Sequence, residues 1–155
     1  MFEKPNVLYT AEATATGGRE GHAGTSDGRV DVDLDVPVEM GGSAGPGTNP
    51  EQLFATGWAA CFQSALLRFA AGKDLDLSES RVTARVGIGP VPSGGFGLVA
   101  ALDLDAPRLT RDVVVDLMNR AHEACPYSRA TRGNVEVTLT LGGTTTSARP
   151  PDERV

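Results

Sequence analysis

Hydrophobic and polar residues alternate with a period of two in four segments, which is the pattern of β-strands with one buried face. The clearest is RVDVDLDVPV, in which apolar residues at 30, 32, 34 and 36 alternate with aspartates at 31, 33 and 35. The others are RVTARVGIG, GLVAALDLDA and VEVTLTL. A weaker strand, LYTAEATAT, precedes the turn GGREG, and TSDGR marks a second turn. We therefore expect the first three strands to form an antiparallel meander.

Two other segments have the periodicity of helices. The first starts with Asn49 as N-cap and Pro50 at the first helical position, and it is apolar almost all round. Such a helix is expected to be buried between a sheet and another layer. The second, TRDVVVDLMNRAHEAC, is amphipathic, with Thr110 as its expected cap and Pro126 ending it at Cys125. Its apolar face comprises Val114, Leu117, Met118, Ala121 and Cys125.

This order of strands and helices predicts an α+β fold with antiparallel sheet. We expect a single domain over residues 1–141, followed by a mobile tail at 142–155, because the tail has no apolar pattern. Two glycine-rich loops remain, MGGSAGPGTNP and GPVPSGGFG. The second matches neither phosphate-loop pattern, so nucleotide binding has no support.

Charge and composition narrow the classes of function. The 155 residues carry a net charge of -6, which disfavours binding to nucleic acid or to an anionic membrane. The N-terminus lacks a secretory signal pattern, and Gly57, Gln63 and Arg68 interrupt the longest apolar stretch, which argues against a membrane span. We expect a cytoplasmic protein. There, two cysteines are more often redox-active, metal-bound or inert than a structural disulfide.

The two cysteines are the candidate chemistry. A lone cysteine in an apolar helix is usually an inert buried thiol. A second cysteine on another apolar helical face changes that expectation, because Cys61 and Cys125 would meet if the helices pack together, and could cycle between dithiol and disulfide. A helix C-terminus disfavours a thiolate at Cys125, so Cys61 is the expected attacking sulfur. Burial would raise the pKa of Cys61, so a nearby cation is needed to lower it.

Arg19, in the turn GGREG, is the candidate cation. A solvated turn arginine, and a Glu51 placed there by the helix dipole, are the commoner explanations of these residues. A buried Arg19–Glu51 pair would instead hold the guanidinium beside the thiolate. In a straight helix Glu51 and Cys61 are about 15 Å apart along the axis and roughly 80° apart around it. We therefore expect a break near Thr56 and Gly57, which would place Cys61 in the first turn of a second helix.

Four segments resemble the organic hydroperoxide resistance (Ohr) proteins of the OsmC/Ohr superfamily: ATATGGREG, GTNPEQLFATGWAACF, GIGPVPSGGFGL and AHEACPYSRATRGNVEVTLTL. They run from the first predicted strand to the last. NPEQLFA…ACF followed by CPYS-ATRGN is specific to the Ohr branch. The resemblance implies antiparallel sheets wrapped around two central helices, in an intertwined homodimer with sites at the subunit interface.

The resemblance also implies an activity, that of a thiol-dependent peroxidase that reduces organic hydroperoxides, alkyl and lipid, to alcohols. Cys61 would be the peroxidatic cysteine that forms a sulfenic acid, and Cys125 the resolving cysteine of a Cys61–Cys125 disulfide. Arg19 would stabilise the thiolate and Glu51 would orient Arg19. No metal or bound cofactor is expected, and the implied reductant is dihydrolipoamide or a lipoylated protein.

We expect an apolar substrate pocket around the cysteines. Its predicted lining is the two glycine-rich loops together with Phe54, Trp58, Phe62 and Met118. Apolar walls would favour alkyl hydroperoxides over hydrogen peroxide. Trp58 stands where the family leads us to expect a smaller aromatic such as tyrosine, and Gln63 is more polar than expected. Both could reshape the pocket.

Two other functions remain open on the sequence. A structural zinc site has the right count of two cysteines and two histidines, with His122 and Cys125 at an i, i+3 spacing. However, His22 and Cys61 are distant in sequence, and no Cys-x-x-Cys motif exists. A non-catalytic module binding apolar ligands would share the fold but need no ionised thiol. Both histidines are expected to be surface residues rather than acid–base catalysts.

Overall fold

The computed structural model describes residues 4–142 and 144–146. The chain forms two compact units, Met1–Pro50 and Glu51–Val155. The single domain expected over residues 1–141 stays a prediction.

The N-terminal unit contains a three-stranded antiparallel sheet of β1 (Ala13–Thr16), β2 (His22–Thr25) and β3 (Asp31–Asp33), in that order. The expected meander is therefore confirmed. Strand β3 is shorter than the alternating segment, because Leu34 leaves the sheet and makes a parallel bridge with Thr48. Two short 3₁₀ turns, Gly18–Glu20 and Val38–Met40, complete this unit.

The C-terminal unit holds the remaining regular structure. Helix α1 (Pro50–Ala71), which begins at the last residue of the N-terminal unit, is followed by the hairpin β4 (Arg81–Pro90) and β5 (Phe96–Asp105). Then come α2 (Arg111–Ala124), α3 (Pro126–Thr131), β6 (Glu136–Leu141) and β7 (Thr144–Thr146). The four strands form one sheet in the order β4-β5-β6-β7. The α+β class and both predicted helices are confirmed.

Two features of this unit differ from the prediction. Strands β5 and β6 pair in parallel, so the sheet is not wholly antiparallel. The reason is the crossover through α2 and α3, which returns the chain in its original direction. Helix α3 was also missed. Pro126 does more than end α2, since it occupies the first turn of a new helix, where its missing N–H costs nothing.

The core of the C-terminal unit lies between the two long helices and one face of the sheet. The predicted face of α2 is confirmed, although Thr110 at its N-cap makes no side-chain capping hydrogen bond. Helix α1 is not buried all round, since Leu53 and Leu67 remain 38% and 47% exposed. The buried helical side chains are Trp58, Phe62, Leu66 and Ala70 of α1 with Val114, Leu117, Met118 and Ala121 of α2.

The predicted break in α1 is wrong, because the helix is continuous for 22 residues. Gly57 has a different purpose from ending a helix. A Cβ atom at this position would lie only 2.8 Å from the Tyr127 hydroxyl, so the glycine makes room for that side chain. Thr56 also fits the helix, because its hydroxyl donates to the Gln52 carbonyl at 2.8 Å.

The predicted mobile tail overlaps the last strand. Thr144–Thr146 pairs with β6, while residues 147–155 lie outside the described residues. Within the ranges described, no helix is both long enough and apolar enough to cross a membrane.

Candidate active site

The structure brings the two cysteines into contact. Both are free thiols, and their Sγ atoms lie 3.3 Å apart. Cys61 on α1 is partly exposed, whereas Cys125 is fully buried. A disulfide bond is about 2.0 Å long, so the two sulfurs need to approach by little more than about 1 Å to form one. The expected meeting of the two thiols is confirmed, and their roles stay a prediction.

Cys125 occupies the joint between two helices. Its N–H donates to Ala121 at 2.8 Å as the C-cap of α2, and its carbonyl accepts from Arg129 at 2.9 Å as the N-cap of α3. The following proline favours the extended ψ of 124° that separates the helices. The partial charges of two helix ends oppose each other here. A helix C-terminus therefore cannot by itself distinguish Cys125 from Cys61, as the sequence suggested.

The surroundings of Cys61 oppose its ionisation. Burial raises the pKa of the Cys61 thiol, and the neighbouring Cys125 thiol raises it further. The Tyr127 backbone N–H acts in the other direction and lowers this pKa. The prediction that Cys61 lies in the first turn of a second helix is wrong, since it lies in the middle of α1. The N–H that lowers its pKa belongs to Tyr127, in the first turn of α3. Because burial has the largest effect on this pKa, a nearby cation is still needed to ionise Cys61 near neutral pH.

Helix α3 packs against the face of α1 that carries Cys61. The fully buried Trp58 indole N–H donates to the buried Ser128 hydroxyl at 3.2 Å. The Tyr127 ring lies over Gly57 and 5.6 Å from the ring of Phe54, measured between centroids. Trp58 therefore joins two helices, a role that the sequence did not predict. A tryptophan N–H buried in an apolar helix needs a partner, and that requirement was the available signal.

The four predicted pocket side chains differ in exposure. Trp58, Phe62 and Met118 are at most 1% exposed and belong to the core. Phe54 is partly buried and packs perpendicular to Trp58, with centroids 5.4 Å apart. Of the four, Phe54 is the one that a ligand at the surface can reach, and the pocket assignment stays a prediction. Gln63 instead donates to the Ser80 carbonyl at 3.1 Å, which ties α1 to the segment before β4.

A depression of about 430 Å³ lies elsewhere, on the four-stranded sheet. None of the predicted site residues is among its lining, which consists of Arg85, Gly87, Val99, Ala100, Ala101, Glu136 and Thr138.

Arg19 and Glu51 are both partly buried. Arg19 lies in the 3₁₀ turn of the N-terminal unit, where Gly17 adopts a φ of 72° that favours glycine. A Cβ atom at Gly21 would overlap the Thr16 carbonyl, so this turn needs glycine at both ends. Glu51 lies in the first turn of α1, in the C-terminal unit, where a helix N-terminus favours a carboxylate. The roles predicted for Arg19 and Glu51 stay predictions.

The histidines do not form a metal site with the cysteines. His22 is exposed and lies 2.7 Å from Asp31 and 2.9 Å from Asp33. His122 is partly buried rather than on the surface, and burial lowers its pKa. Across the part of the chain that the structure describes, no three His, Cys, Asp or Glu side chains are close enough to hold a metal ion.

The chain is similar to proteins of known family. The model of the OsmC-like protein family matches residues 40–140. The organic hydroperoxide resistance protein of Xanthomonas axonopodis pv. citri is 52% identical over 142 residues, covering 91% of this chain and 99% of that protein.

Solved structures agree with the sequence matches. An organic hydroperoxide resistance protein from Vibrio cholerae, with captopril bound in one of the active sites, superposes with a TM-score of 0.86 at 44% identity, over 93% of this chain and 99% of that one. OhrB of Bacillus subtilis superposes with a TM-score of 0.80 at 43% identity, over 87% and 99%. The chain therefore belongs to the OsmC-like family, in its organic hydroperoxide resistance (Ohr) branch.

Proposed function

We propose that the protein is a thiol-dependent peroxidase that reduces organic hydroperoxides to alcohols and so protects its cell against organic peroxide stress. One observation carries the proposal, the 3.3 Å contact between a partly exposed and a fully buried thiol. The names of the Xanthomonas and Bacillus relatives support the substrate class.

The proposed reaction has two oxidative steps. The Cys61 thiolate attacks the distal peroxide oxygen, the O–O bond breaks, and the alkoxide leaves and takes up a proton to give the alcohol. Cys61 is then a sulfenic acid. The Cys125 sulfur attacks the Cys61 sulfur, and the sulfenic hydroxyl leaves with a proton as water. The two thiols have lost the two electrons that the hydroperoxide gained.

An external dithiol must return the disulfide to two thiols. We propose dihydrolipoamide or a lipoylated protein as this reductant, in the cytoplasm. The protein's own residues carry out the oxidative half without a metal or a bound cofactor.

We propose that Arg19 stabilises the Cys61 thiolate and that Glu51 orients Arg19. Because burial raises the pKa of Cys61, ionisation near neutral pH needs a cation. Helix α1 is continuous, so Glu51 and Cys61 of one chain are about 15 Å apart along its axis, too far for one guanidinium to contact both. The proposal therefore includes a homodimer in which an Arg19–Glu51 pair of one subunit serves the thiol of the other.

Exposed apolar side chains support a second copy of the chain. Val7, Leu8 and Tyr9 are 66%, 94% and 78% exposed. Leu53 and Leu67 are exposed on α1 as well. Large exposed apolar side chains of this kind are frequent at protein interfaces, and burying them against a second copy would favour association.

The direct test is consumption of cumene hydroperoxide with dihydrolipoamide and thioredoxin as competing reductants. We expect catalytic turnover with dihydrolipoamide, one alcohol per hydroperoxide, and little turnover with thioredoxin. Reduced protein whose Cys61 does not react rapidly and stoichiometrically with the hydroperoxide would favour the non-catalytic module instead.

A further inference from the structure

We infer that the contact between α1 and α3 positions Cys125 against Cys61, and so sets how often the Cys61 sulfenic acid is resolved as a disulfide rather than oxidised further. The contact, called here the α1–α3 clamp, comprises Gly57 and Trp58 of α1 with Tyr127 and Ser128 of α3. The inference rests on the proposed function. It makes the four clamp residues positioning residues.

The first half of the clamp is the hydrogen bond from the Trp58 indole to the Ser128 hydroxyl, 3.2 Å long between two fully buried side chains. Trp58 precedes Cys61 by three residues, and Ser128 follows Cys125 by three. Because residues three apart lie on the same face of a helix, Trp58 and Cys61 share a face of α1. Ser128 lies in the first turn of α3, whose N-cap is Cys125. The hydrogen bond therefore lies about one turn from the sulfur contact, and the two segments run in opposite directions.

The second half of the clamp is steric. The side chain of Tyr127 occupies the space that a Cβ atom at Gly57 would need, since that atom would lie 2.8 Å from the hydroxyl and 3.3 Å from the ring. Gly57 precedes Cys61 by four residues, so it is on the same face of α1. The ring is also 5.6 Å from that of Phe54. Tyr127 can approach α1 so closely only because residue 57 is glycine.

Movement of α3 would be transmitted to the buried sulfur. The Cys125 carbonyl accepts the Arg129 N–H at 2.9 Å, so Cys125 is the first hydrogen-bonded residue of α3 as well as the last of α2. No flexible linker separates Cys125 from Ser128. A helix that loses its anchor on α1 therefore carries the Cys125 Sγ away from the 3.3 Å contact.

The position of Cys125 matters because two reactions compete for the sulfenic acid. In resolution, the Cys125 sulfur attacks Cys61, the sulfenic hydroxyl leaves as water, and the disulfide forms. In overoxidation, a second hydroperoxide transfers an oxygen atom to Cys61, leaving a sulfinic acid and an alcohol. Resolution is intramolecular and depends on the sulfur contact, whereas overoxidation depends on peroxide concentration. A looser clamp should slow only the first.

The main test is Ser128→Ala, which leaves the buried Trp58 N–H without its acceptor. Ser64→Ala is the matched control, because the Ser64 hydroxyl only donates to the Ala60 carbonyl of its own helix at 2.9 Å. Reduced protein is turned over with dihydrolipoamide and increasing cumene hydroperoxide, and mass spectrometry measures the sulfinic acid at Cys61. We expect the concentration giving half overoxidation to fall about tenfold in Ser128→Ala, the effect of losing one buried hydrogen bond. We expect no change in Ser64→Ala.

A second pair of variants tests the steric half independently. Gly57→Ala should shift the half-overoxidation concentration in the same direction, because the new methyl displaces Tyr127. Adding Tyr127→Phe to Gly57→Ala should restore part of the resistance to overoxidation, because the new Cβ atom would lie closest to the Tyr127 hydroxyl. A variant with a merely unfolded α3 would show no such rescue.

The rate at which Cys61 is first oxidised is measured alongside in each variant. We expect it to stay within about twofold of wild type in Ser128→Ala, because displacing α3 weakens both the Tyr127 N–H contact, which lowers the pKa of Cys61, and the Cys125 contact, which raises it. If the sulfenic acid were divided between disulfide and sulfinic acid as in wild type in both Ser128→Ala and Gly57→Ala, with normal first oxidation, the inference would be overturned and the proposed function would remain intact. A wild-type Cys61 that is never oxidised would overturn both.

Discussion

Cys61 and Cys125 are neighbours in space, but the regions that hold them differ. Cys61 lies inside a continuous 22-residue helix with its side chain partly exposed. Cys125 lies at the joint of two helices and has no exposed surface. Helix-end charges do not separate the two thiols, because two helix ends oppose each other at Cys125. Exposure to solvent does distinguish the two thiols, since a small oxidant at the surface meets Cys61 first.

The largest expected effect comes from removing the exposed thiol. Cys61→Ser should abolish hydroperoxide turnover with dihydrolipoamide, because a hydroxyl is not ionised at neutral pH and cannot replace the thiolate. Hydroperoxide consumption against time measures the effect. Turnover near the wild-type rate would place the chemistry elsewhere and end the distinction between the two regions.

Next in size is the preference for alkyl hydroperoxides over hydrogen peroxide. An alkyl chain gains about 0.8 kcal/mol for each buried CH₂, so four such groups give roughly 3 kcal/mol, or about a hundredfold in kcat/KM. Second-order rates of oxidation for a graded alkyl series, at one pH, measure this. Equal rates along the series would show that no apolar pocket adjoins Cys61.

Phe54 tests which part of the predicted pocket contacts substrate. Because Phe54 is less buried than Trp58, Phe62 and Met118, Phe54→Ala should reduce the alkyl preference by several-fold. Phe69→Ala is the matched control, since Phe69 lies further along α1 with Arg120 over its ring at 4.6 Å. An equal loss in both variants would indicate a general effect on α1 packing.

Arg19 tests the proposed source of thiolate stabilisation. Arg19→Ala should raise the pKa of Cys61 further and slow its oxidation about tenfold at pH 7, the effect of about one pKa unit. Arg19→Lys should recover only part of the rate, because an ammonium lacks the planar fork that contacts a carboxylate and a sulfur together. Thiol alkylation rates against pH report the shift. An unchanged pH profile in Arg19→Ala would remove Arg19 from the mechanism.

The smallest expected effect is on the pH dependence of folding stability, to which the two histidines contribute with opposite signs. Burial lowers the pKa of His122, so its unfolded form binds a proton first, and folding stability falls as pH drops below the ordinary value of about 6.5. Hydrogen bonds to Asp33 and Asp31 raise the pKa of His22, so its contribution is present at low pH and is lost as pH rises.

Urea unfolding midpoints at pH 5.5 and pH 8 distinguish these signs. His122→Gln should reduce the acid-induced loss of stability, and His22→Gln should increase it. The same sign in both variants would contradict the opposite environments that the structure shows for the two side chains.

The sequence predicted correctly those features that depend on residues within a single strand or helix. Period-two alternation located β1, β3, β4, β5 and β6 but not β2 or β7. Pro50 located the start of α1, and the predicted apolar face of α2 was correct. The failures involve partners distant in sequence. Gly57 suggested a break because nothing local shows that Tyr127 packs on it, and the parallel β5–β6 pair follows from a crossover.

In the candidate site, too, local patterns were predicted correctly and some contacts between residues distant in sequence were missed. The apolar helical faces that carry Cys61 and Cys125 indicated that the two thiols would meet if the helices pack together, and they do. The helix α3 that places Tyr127 and Ser128 opposite α1 was missed, although Pro126 at a first helical turn was its signal. The acceptor of the buried Trp58 N–H is Ser128, which is 70 residues away, so no local pattern distinguishes a core side chain from one that lines a pocket.

The central claim is that Cys61 reacts first and Cys125 resolves. The most direct measurement treats reduced Cys125→Ser and Cys61→Ser with one equivalent of cumene hydroperoxide in the presence of a sulfenic acid trap, followed by mass spectrometry of each cysteine. We predict rapid trapping at Cys61 in Cys125→Ser, progressing to sulfinic acid under excess oxidant, and no trapping at Cys125 in Cys61→Ser on the same timescale. Trapping at Cys125 as fast as at Cys61, or a Cys61 that stays reduced in Cys125→Ser, would contradict the account.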